Sequence, residues 1–345
     1  MKKLGVLIAG LLLALGLAEG VFRLTPESFD AKLPELRAAQ AFLAHGRAEF
    51  EANPHMVYRH TRTPERLKKT GRTQDRRYTP HPEGRRILCL GGSTTESGNS
   101  LGQVGSYPFY LEKTLAQETG LDYEVLQAGH AGWTSAESLV GWMLDFKDFE
   151  PDLVLIHHAV NDLGPMTAPG FLPDYTHWRK SVDLFERNLF DKVFARVSLL
   201  YVHLRVERGD LDLVGSSTRQ PAPDAKPVAF EVAQESFVRN VRSIGDDVAR
   251  SGGRVGLVTM PMHPDADSMA PGIAAGVRKN NQALRLLAHE KGWYVLDLEH
   301  GFPLRYPEEQ RKENFLDLVH VSPLGNLAKA QLITRELVRL GWADK

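Results

Sequence analysis

Between residue 85 and the carboxyl terminus, short apolar runs alternate with longer segments that repeat apolar residues at helical spacing. Apolar runs without a polar face are typical of parallel strands that are buried on both sides. Their alternation with helices predicts one doubly wound α/β domain. The predicted strands are residues 86–90, 123–128, 153–157, 255–260 and 294–298. The predicted helices are residues 107–119, 134–146, 231–251, 272–291 and 323–340.

The first 84 residues have a different pattern. Two lysines precede the apolar run of residues 4–17, and small residues follow. This is the layout of a secretory signal cut after Ala18 or, if the span continues past Glu19, of an uncleaved membrane anchor. Both predict export to the periplasm or cell envelope, and we favour an anchor over residues 1–24. Residues 25–84 show no clear strand and are predicted to be a stalk that leads into the domain.

The α/β domain is therefore predicted to span residues 85–345, with one long connection from residue 163 to residue 230. This insertion contains an amphipathic stretch at 181–205 and a flexible patch at 215–227. Loops of such length are usually functional, so we predict a lid beside the strand ends. A peripheral helical decoration is the alternative.

Composition excludes several classes of protein. The chain has 345 residues and a formal net charge of −1, which argues against a nucleic-acid-binding protein. The basic stretch at residues 59–86 is interpreted as a solvated connecting segment. Cys89, the single cysteine, excludes an intrachain disulfide, and its place in an apolar run predicts a buried, inert thiol.

The first predicted strand ends on Gly91 and Gly92, and the next residue is Ser93. Glycines at a strand end allow a sharp turn, and in open α/β sheets ligands bind at the carboxyl ends of the strands. Ser93 is therefore a candidate nucleophile. A phosphate-binding loop would need a lysine here, and the nucleophile elbow of α/β-hydrolases needs glycine where Thr95 stands, so neither fits. On the local sequence alone, Ser93 as a simple helix cap remains open.

A base for Ser93 comes from the other end of the chain. Asp317 and His320 lie three residues apart, just before the last predicted helix. A carboxylate at this spacing is able to accept the imidazole Nδ1 hydrogen and leave Nε2 facing a serine. The pairing predicts an activated nucleophile.

Two further strand ends carry hydrogen-bond donors. Gly129 follows the second strand, and Asn161 follows the third. With the amide of Ser93, the Gly129 amide and the Asn161 side chain would form an oxyanion hole for acyl transfer. Alternatively, both residues only shape turns. No metal site is predicted, because the adjacent His157 and His158 point to opposite faces of a strand.

Ser, Gly, Asn and His, in this order after the first, second, third and fifth strands, resemble the conserved blocks of the SGNH hydrolases, also called the GDSL-type esterase and lipase family. The resemblance covers about residues 85–340, with Gly91-Gly92-Ser93, Gly129, Ala159-Val160-Asn161-Asp162 and Asp317-Leu318-Val319-His320. It implies a three-layer α/β/α sandwich with a five-stranded parallel, flavodoxin-like sheet. It also implies that Ser93 is the nucleophile and first oxyanion donor, that Gly129 and Asn161 are the other donors, that His320 is the base and that Asp317 orients it.

The chain departs from the family pattern at two positions. Gly92 replaces the aspartate of Gly-Asp-Ser, and Ala159 stands where the third block usually has glycine. The first change is tolerable because that carboxylate has no direct role in the chemistry, whereas the methyl of Ala159 could alter the approach of Asn161. The resemblance also favours an amino-terminal membrane anchor, a layout common among bacterial members.

These residues predict a serine esterase that needs no cofactor or metal and acts through an acyl-enzyme. Its substrate would be a small-molecule, lipid or glycan ester, its membrane contact would be the amino terminus, and nucleic acid is not a partner. Two alternatives keep the same fold. The first is an O-acyltransferase or deacetylase acting on a cell-envelope polysaccharide, and the second is a catalytically inactive module that binds an envelope component.

Overall fold

A computed structural model describes residues 16–22, 50–53, 55–60, 84–96, 105–178, 189–207, 226 and 228–343. The chain divides into two compact units. The smaller unit comprises Met1–Thr61 and Arg179–Gln220, and the larger one comprises Arg62–Trp178 and Pro221–Lys345. Residues 179–220, which belong to the predicted insertion, therefore group with the amino-terminal segment.

The larger unit is built on a five-stranded sheet in which every pairing is parallel. Its strands are β3 (Arg85–Gly91), β4 (Tyr123–Gly129), β5 (Leu153–His157), β6 (Arg254–Val258) and β7 (Tyr294–Leu296). The spatial order is β4-β3-β5-β6-β7, so the chain winds outward in both directions from β3. The register pairs Gly91 with Gly129 and with His157, which places these three strand ends side by side.

Helices cover both faces of this sheet. In chain order they are α1 (Ser93–Glu96), α2 (Tyr107–Thr119), α3 (Ser135–Leu144), α4 (Val160–Thr167), α7 (Phe230–Arg250), α8 (Ala266–Met269), α9 (Pro271–Lys291), α10 (Leu298–Arg305), α11 (Glu308–Glu313) and α12 (Pro323–Arg339). α2 and α12 pack together on one face, whereas α3, α4, α7 and α9 occupy the other. The result is the predicted three-layer α/β/α sandwich.

The core follows from the alternation of side chains along the strands. Ile87 and Cys89 of β3 pack in one apolar cluster with Leu111 of α2 and Ile333 of α12. Leu88, like these residues, is almost completely buried, and it points to the opposite face because successive strand residues alternate. Both faces of β3 are therefore apolar, and this explains its continuous hydrophobic run.

Local signals define several helix ends. The capping box at the start of α3 joins Thr134 to Glu137, as its side-chain spacing allows. α2 ends at Gly120, whose φ of 72° suits a residue without a side chain. Ser322 caps α12 by accepting a hydrogen bond from the main chain of Gly325.

In the smaller unit, residues 16–22 are helical, and two more helices follow, α5 (Leu189–Val197) and α6 (Leu199–Glu207). Glu19 accepts hydrogen bonds from the Ser198 hydroxyl at 2.7 Å, the Leu199 amide at 2.8 Å and the Leu200 amide at 3.0 Å. These donors lie at the amino terminus of α6, where a negative charge is stabilised. Across the described residues, no helix is long and apolar enough to span a bilayer.

The smaller unit also corrects the expectation that residues 25–84 lack strands. β1 (Phe50–Asn53) and β2 (Val57–His60) form an antiparallel hairpin. Its turn closes because the Asn53 side chain accepts hydrogen bonds from the amides of His55 and Met56, both at 2.9 Å. Residues 1–15, 23–49, 61–83 and 208–225, which carry most of the predicted anchor, stalk and flexible patch, lie outside the described residues.

Candidate active site

Ser93 begins the single helical turn α1 directly after β3 and Gly92. The amides of Thr95 and Glu96 both donate to the Gly92 carbonyl, at 3.0 Å. A Cβ at Gly91 would overlap the Thr95 side chain, so the turn needs glycine there. The turn places Ser93 at the carboxyl edge of the sheet, beside the ends of β4 and β5.

His320 meets Ser93 at this edge. Its Nε2 lies 2.7 Å from Ser93 Oγ, and its Nδ1 lies 2.7 Å from Asp317 Oδ2. The loop that carries both residues is closed on each side, by the hydrogen bond from Leu316 to the His320 carbonyl at 2.8 Å and by that from Ser322 to the Asn314 carbonyl at 2.8 Å. The side chains of Ser93, His320 and Asp317, all predicted from the sequence, thus form one continuous chain of hydrogen bonds.

The direction of these hydrogen bonds follows from Asp317. Partial burial would raise the pKa of this carboxyl, but hydrogen bonds from the His320 ring and from the main chain of His320 and Val319 bring the pKa down to about 2. An ionised carboxylate accepts only, so Nδ1 of His320 donates to it. In the neutral imidazole Nε2 is then the nitrogen without a hydrogen, and it accepts the hydrogen of the Ser93 hydroxyl.

Asn161 lies in the first turn of α4 and contacts the same strand end. Its Nδ2 donates to the Trp133 carbonyl at 2.8 Å. A Cβ at Gly92 would overlap Asn161 Nδ2 and lie 3.2 Å from the Trp133 oxygen. Glycine at position 92, where the family pattern has aspartate, therefore lets the Asn161 amide approach the main chain next to Ser93. Ala159 causes no conflict, because its methyl is buried in an apolar cluster with Leu163, Met260, Val277 and Val319.

The hydrogen bonds of neighbouring amides indicate that the Gly129 N–H faces the edge of the sheet, away from β3. The amide of His130 donates to the Gly91 carbonyl at 3.1 Å, so the His130 N–H points toward β3. Successive residues of a strand point their N–H groups in opposite directions, and the Val125 amide accordingly bonds Glu112 outside the sheet, at 3.0 Å. The N–H of Gly129, four residues after Val125, points the same way as the N–H of Val125, toward the free edge of β4.

Glycine is nevertheless required at position 129. A Cβ there would lie 2.7 Å from Thr95 Cβ and 2.8 Å from the Glu96 amide nitrogen, well inside contact distance. The role of Gly129 is therefore to let β4 pack closely against the turn that carries Ser93. The sequence predicted an oxyanion donor at Gly129, and whether its N–H faces the site depends on which side of β4 carries a partner strand.

Another amide after β4 fits the role better. In the turn that follows the strand, the amide of His130 bonds Gly91, that of Ala131 bonds the Glu96 carboxylate, and that of Trp133 bonds the His130 carbonyl at 3.1 Å. Within the described chain, the Gly132 amide has no partner, and this residue is exposed, with φ of 79°. Its signal in the sequence is a second glycine, three residues after Gly129.

Two acidic residues missed by the sequence reasoning support the site. Besides binding the Ala131 amide, Glu96 accepts at its carbonyl from Gln127 Nε2 at 3.2 Å. Asp162 accepts from the Ser135 amide at 3.1 Å and from its hydroxyl at 2.5 Å. Glu96 thus joins the Ser93 turn to β4, and Asp162 joins the start of α4 to α3.

His157 and His158 follow one another at the end of β5 and contact different partners. His157 Nδ1 lies 3.3 Å from Thr95 Oγ1, whereas His158 Nε2 lies 2.8 Å from Ser138 Oγ on the opposite face. Burial lowers the pKa of both imidazoles, for His158 to about 3. Among the described residues, no three His, Cys, Asp or Glu side chains converge on a point where an ion would bind.

A hydroxyl, an imidazole and a carboxylate in one line activate serine for attack on a carbonyl carbon. The three-layer fold, with these three side chains at the carboxyl edge of its sheet, has the architecture of a hydrolase. The chain belongs to the GDSL-like lipase/acylhydrolase family, whose sequence model matches residues 89–328. It is therefore a hydrolase that acts on ester bonds.

Solved structures similar to the chain include LAE5, an α/β hydrolase from the metagenome of Lake Arreo, Spain, with 16% identity and a TM-score of 0.47 over 76% of this chain and 97% of that one. The acetylxylan esterase Axe2 from Geobacillus stearothermophilus is similar at 17% identity, with a TM-score of 0.46 over 74% of this chain and 95% of that one. A comparison with curated protein sequences finds no match.

Proposed function

We propose that the protein is a serine esterase that cleaves a carboxylic ester through an acyl-enzyme formed on Ser93. The observation that carries this proposal is the 2.7 Å contact between Ser93 Oγ and His320 Nε2, continued by the 2.7 Å contact between His320 Nδ1 and Asp317. His320 is the base, and Asp317 orients its ring and stabilises the imidazolium that forms.

In the first half of the reaction, Ser93 Oγ attacks the ester carbonyl while its proton passes to His320 Nε2. The tetrahedral intermediate then collapses, and the departing alcohol takes that proton from His320. In the second half, His320 removes a proton from water, the hydroxide attacks the acyl-enzyme, and Ser93 regains its proton as the acid leaves. No external oxidant, reductant or metal is consumed in this sequence.

The negative charge on the carbonyl oxygen needs donors that are already in place. We assign this role to the amide of Ser93, the side-chain Nδ2 of Asn161 and the amide of Gly132. Asn161 Nδ2 carries two hydrogens and uses one on the Trp133 carbonyl, which leaves the second for the substrate. Gly132 replaces Gly129 in this assignment, because the residue is exposed and its N–H has no partner among the described residues, while the N–H of Gly129 points to the sheet edge.

Labelling with a fluorophosphonate and the burst of a p-nitrophenyl ester test the nucleophile together. We expect Ser93→Ala to lose both the label and the burst, and His320→Ala to lose turnover, with unchanged melting temperatures. Ser251→Ala is the matched control, because this exposed serine ends α7 and precedes β6, away from the carboxyl edge. Turnover or labelling by purified Ser93→Ala at the wild-type rate would refute the assignment.

The substrate follows from activity on a panel. We propose a carboxylic ester of a small molecule, lipid or glycan, and we test it with esters of increasing acyl length beside acetylated polysaccharides. Release of free acid, measured with and without a sugar acceptor, separates hydrolysis from acyl transfer. Acid release that is independent of the acceptor is the expected result.

We also propose that the chain is exported and held at a membrane by residues 1–24. Glu19 is a charge inside this apolar segment, and its carboxylate accepts from three donors at the start of α6. A carboxylate paired in this way has a smaller penalty for leaving water. Membrane fractionation of the full chain, with its intact mass, tests the proposal: we expect a membrane-bound protein that retains residues 1–18. Recovery of a soluble chain that begins at Glu19 would show cleavage instead.

A further inference from the structure

Lys329 of α12 lies completely buried beneath the turn that carries Ser93. Its Nζ donates to the Thr94 carbonyl at 2.8 Å and lies 4.7 Å from the centre of the Tyr107 ring. Lysine is almost never fully buried unless it is paired with an acid. Throughout the described residues, however, Lys329 forms no salt bridge.

The groups that face Lys329 are neutral. Cys89 on β3, Tyr107 on α2 and His157 on β5 are all completely buried. Burial raises the pKa of the Cys89 thiol to about 12 and raises that of Tyr107, whereas it lowers the pKa of His157. The same desolvation lowers the pKa of Lys329 to about 7. An apolar side chain would fill this space without that penalty, so packing does not explain an amine here.

What the amine gains is a bond to a turn that is not stable alone. α1 has four residues in the described part of the chain, fewer than a free-standing helix needs. Side chains hold it from outside, since Gln127 donates to the Glu96 carbonyl and the Glu96 carboxylate binds the Ala131 amide. Lys329 holds the Thr94 carbonyl, which belongs to the residue directly after Ser93.

The same helix also fixes the base. α12 begins at Pro323, three residues after His320, and its Ser322 cap follows the loop that carries the imidazole. The helix α12 therefore contacts the Ser93 turn through Lys329 and directly follows the His320 loop. It helps to position both partners of the 2.7 Å contact between Ser93 and His320. A change at position 329 would alter that contact without touching substrate.

We propose that Lys329 is a positioning residue, which holds the Ser93 turn against His320 through the Thr94 main chain. This inference rests on the proposed function of Ser93 and His320. Its expected signature is a loss in kcat, because the bond aligns the reacting groups and does not contact the substrate. A misplacement of the nucleophile by a fraction of an ångström to 1 Å lowers the rate by about 10- to 100-fold.

Lys329→Met tests the proposal, because methionine has a similar length and neither donates nor carries charge. We expect a folded enzyme with kcat about 10- to 100-fold lower, KM within about threefold of wild type, and a slower fluorophosphonate reaction in the same proportion. The matched control is Thr334→Val on the same helix, which removes the 2.7 Å bond between Thr334 and Thr114 on the side of α2. This variant should lower the melting temperature and leave kcat unchanged.

Each outcome of these measurements either supports or overturns the positioning role of Lys329. A Lys329→Met enzyme with wild-type kcat and labelling rate overturns the inference, and so does an equal loss of kcat in Thr334→Val. Failure of both Lys329→Met and Lys329→Gln to fold would show a purely structural role and would also overturn it. If Ser93→Ala still reacts with the probe, the proposed function fails. If Ser93→Ala does not react but Lys329→Met reacts at the normal rate, only the positioning role fails.

Discussion

Gly92 is the position where one added methyl should separate catalysis from folding. The residue precedes Ser93, and its Cα faces Asn161 Nδ2 and the Trp133 carbonyl. In Gly92→Ala, the new Cβ would overlap Nδ2, whereas ordinary carbon contacts need about 3.5 to 4.0 Å. The far end of the Asn161 side chain must therefore move.

The size of the effect follows from what Asn161 loses. A displacement of about 1 Å breaks the alignment of Nδ2 both with the Trp133 carbonyl and with the oxyanion, and a misplacement of this size costs about 100-fold in rate. Loss of one oxyanion donor costs about 100- to 1000-fold in kcat, so the two estimates agree. We expect Gly92→Ala to lower kcat by about 100-fold and to leave the sheet intact.

A double-mutant cycle with Asn161→Ala identifies the route. If the methyl acts by displacing Asn161, the double variant should be no slower than Asn161→Ala alone. Gly272→Ala is the control, because a Cβ at this position in α9 meets no atom within 4 Å. The assay is kcat and KM on a p-nitrophenyl ester, with the melting temperature of each variant measured in parallel.

Two results would contradict this reasoning. Wild-type kcat in Gly92→Ala would show that Asn161 does not approach the oxyanion past position 92. Additive losses of kcat in the double variant would show that the methyl acts on Ser93 directly. The first result would remove Asn161 from the proposed oxyanion hole. The second would show that the effect of Gly92 does not pass through Asn161.

Two further substitutions are informative. Asp317→Asn should lower kcat by about 10⁴-fold in steady-state assays, because an amide no longer favours the His320 tautomer with Nδ1 protonated; a loss below about tenfold would contradict the orienting role. Burial raises the pKa of Asp162 to about 7. Between about pH 4 and 7, the carboxyl of Asp162 is therefore protonated in the folded state and ionised in the unfolded state. The contribution of Asp162 to the free energy of unfolding falls as pH rises through that window. Melting temperatures of Asp162→Asn should therefore change less between pH 4.5 and 8 than those of wild type, and an identical pH dependence would refute the prediction.

Much of the fold was predictable because its signals are local. The apolar run of β3 and the helical spacing of α2 depend on residues that are neighbours in the chain, and the predicted helix at 107–119 matches α2 at both ends. The hairpin of β1 and β2 was missed. Its strands have four residues each, and the turn depends on the side-chain bonds of Asn53, which no periodicity reveals.

Some features of the candidate site were likewise predictable from local sequence, and others were not. Ser93, Asn161, Asp317 and His320 were recognisable because each follows a predicted strand or precedes a predicted helix, and parallel strands bring their carboxyl ends to one edge. The sequence by itself therefore determined which residue types gather there. It did not determine the direction of an N–H group, since that depends on which neighbour a strand has.

Tertiary structure alone decided what surrounds Gly129 and Lys329. β4 is an edge strand with β3 on one side only, and this pairing turns the Gly129 amide outward, while the exposed Gly132 lies in the following turn. Lys329 looks like a surface residue of an amphipathic helix until α12 packs beside the Ser93 turn and its amine reaches the Thr94 carbonyl, 235 residues away in the chain. Contacts between distant segments are fixed by packing, and local sequence carries no record of them.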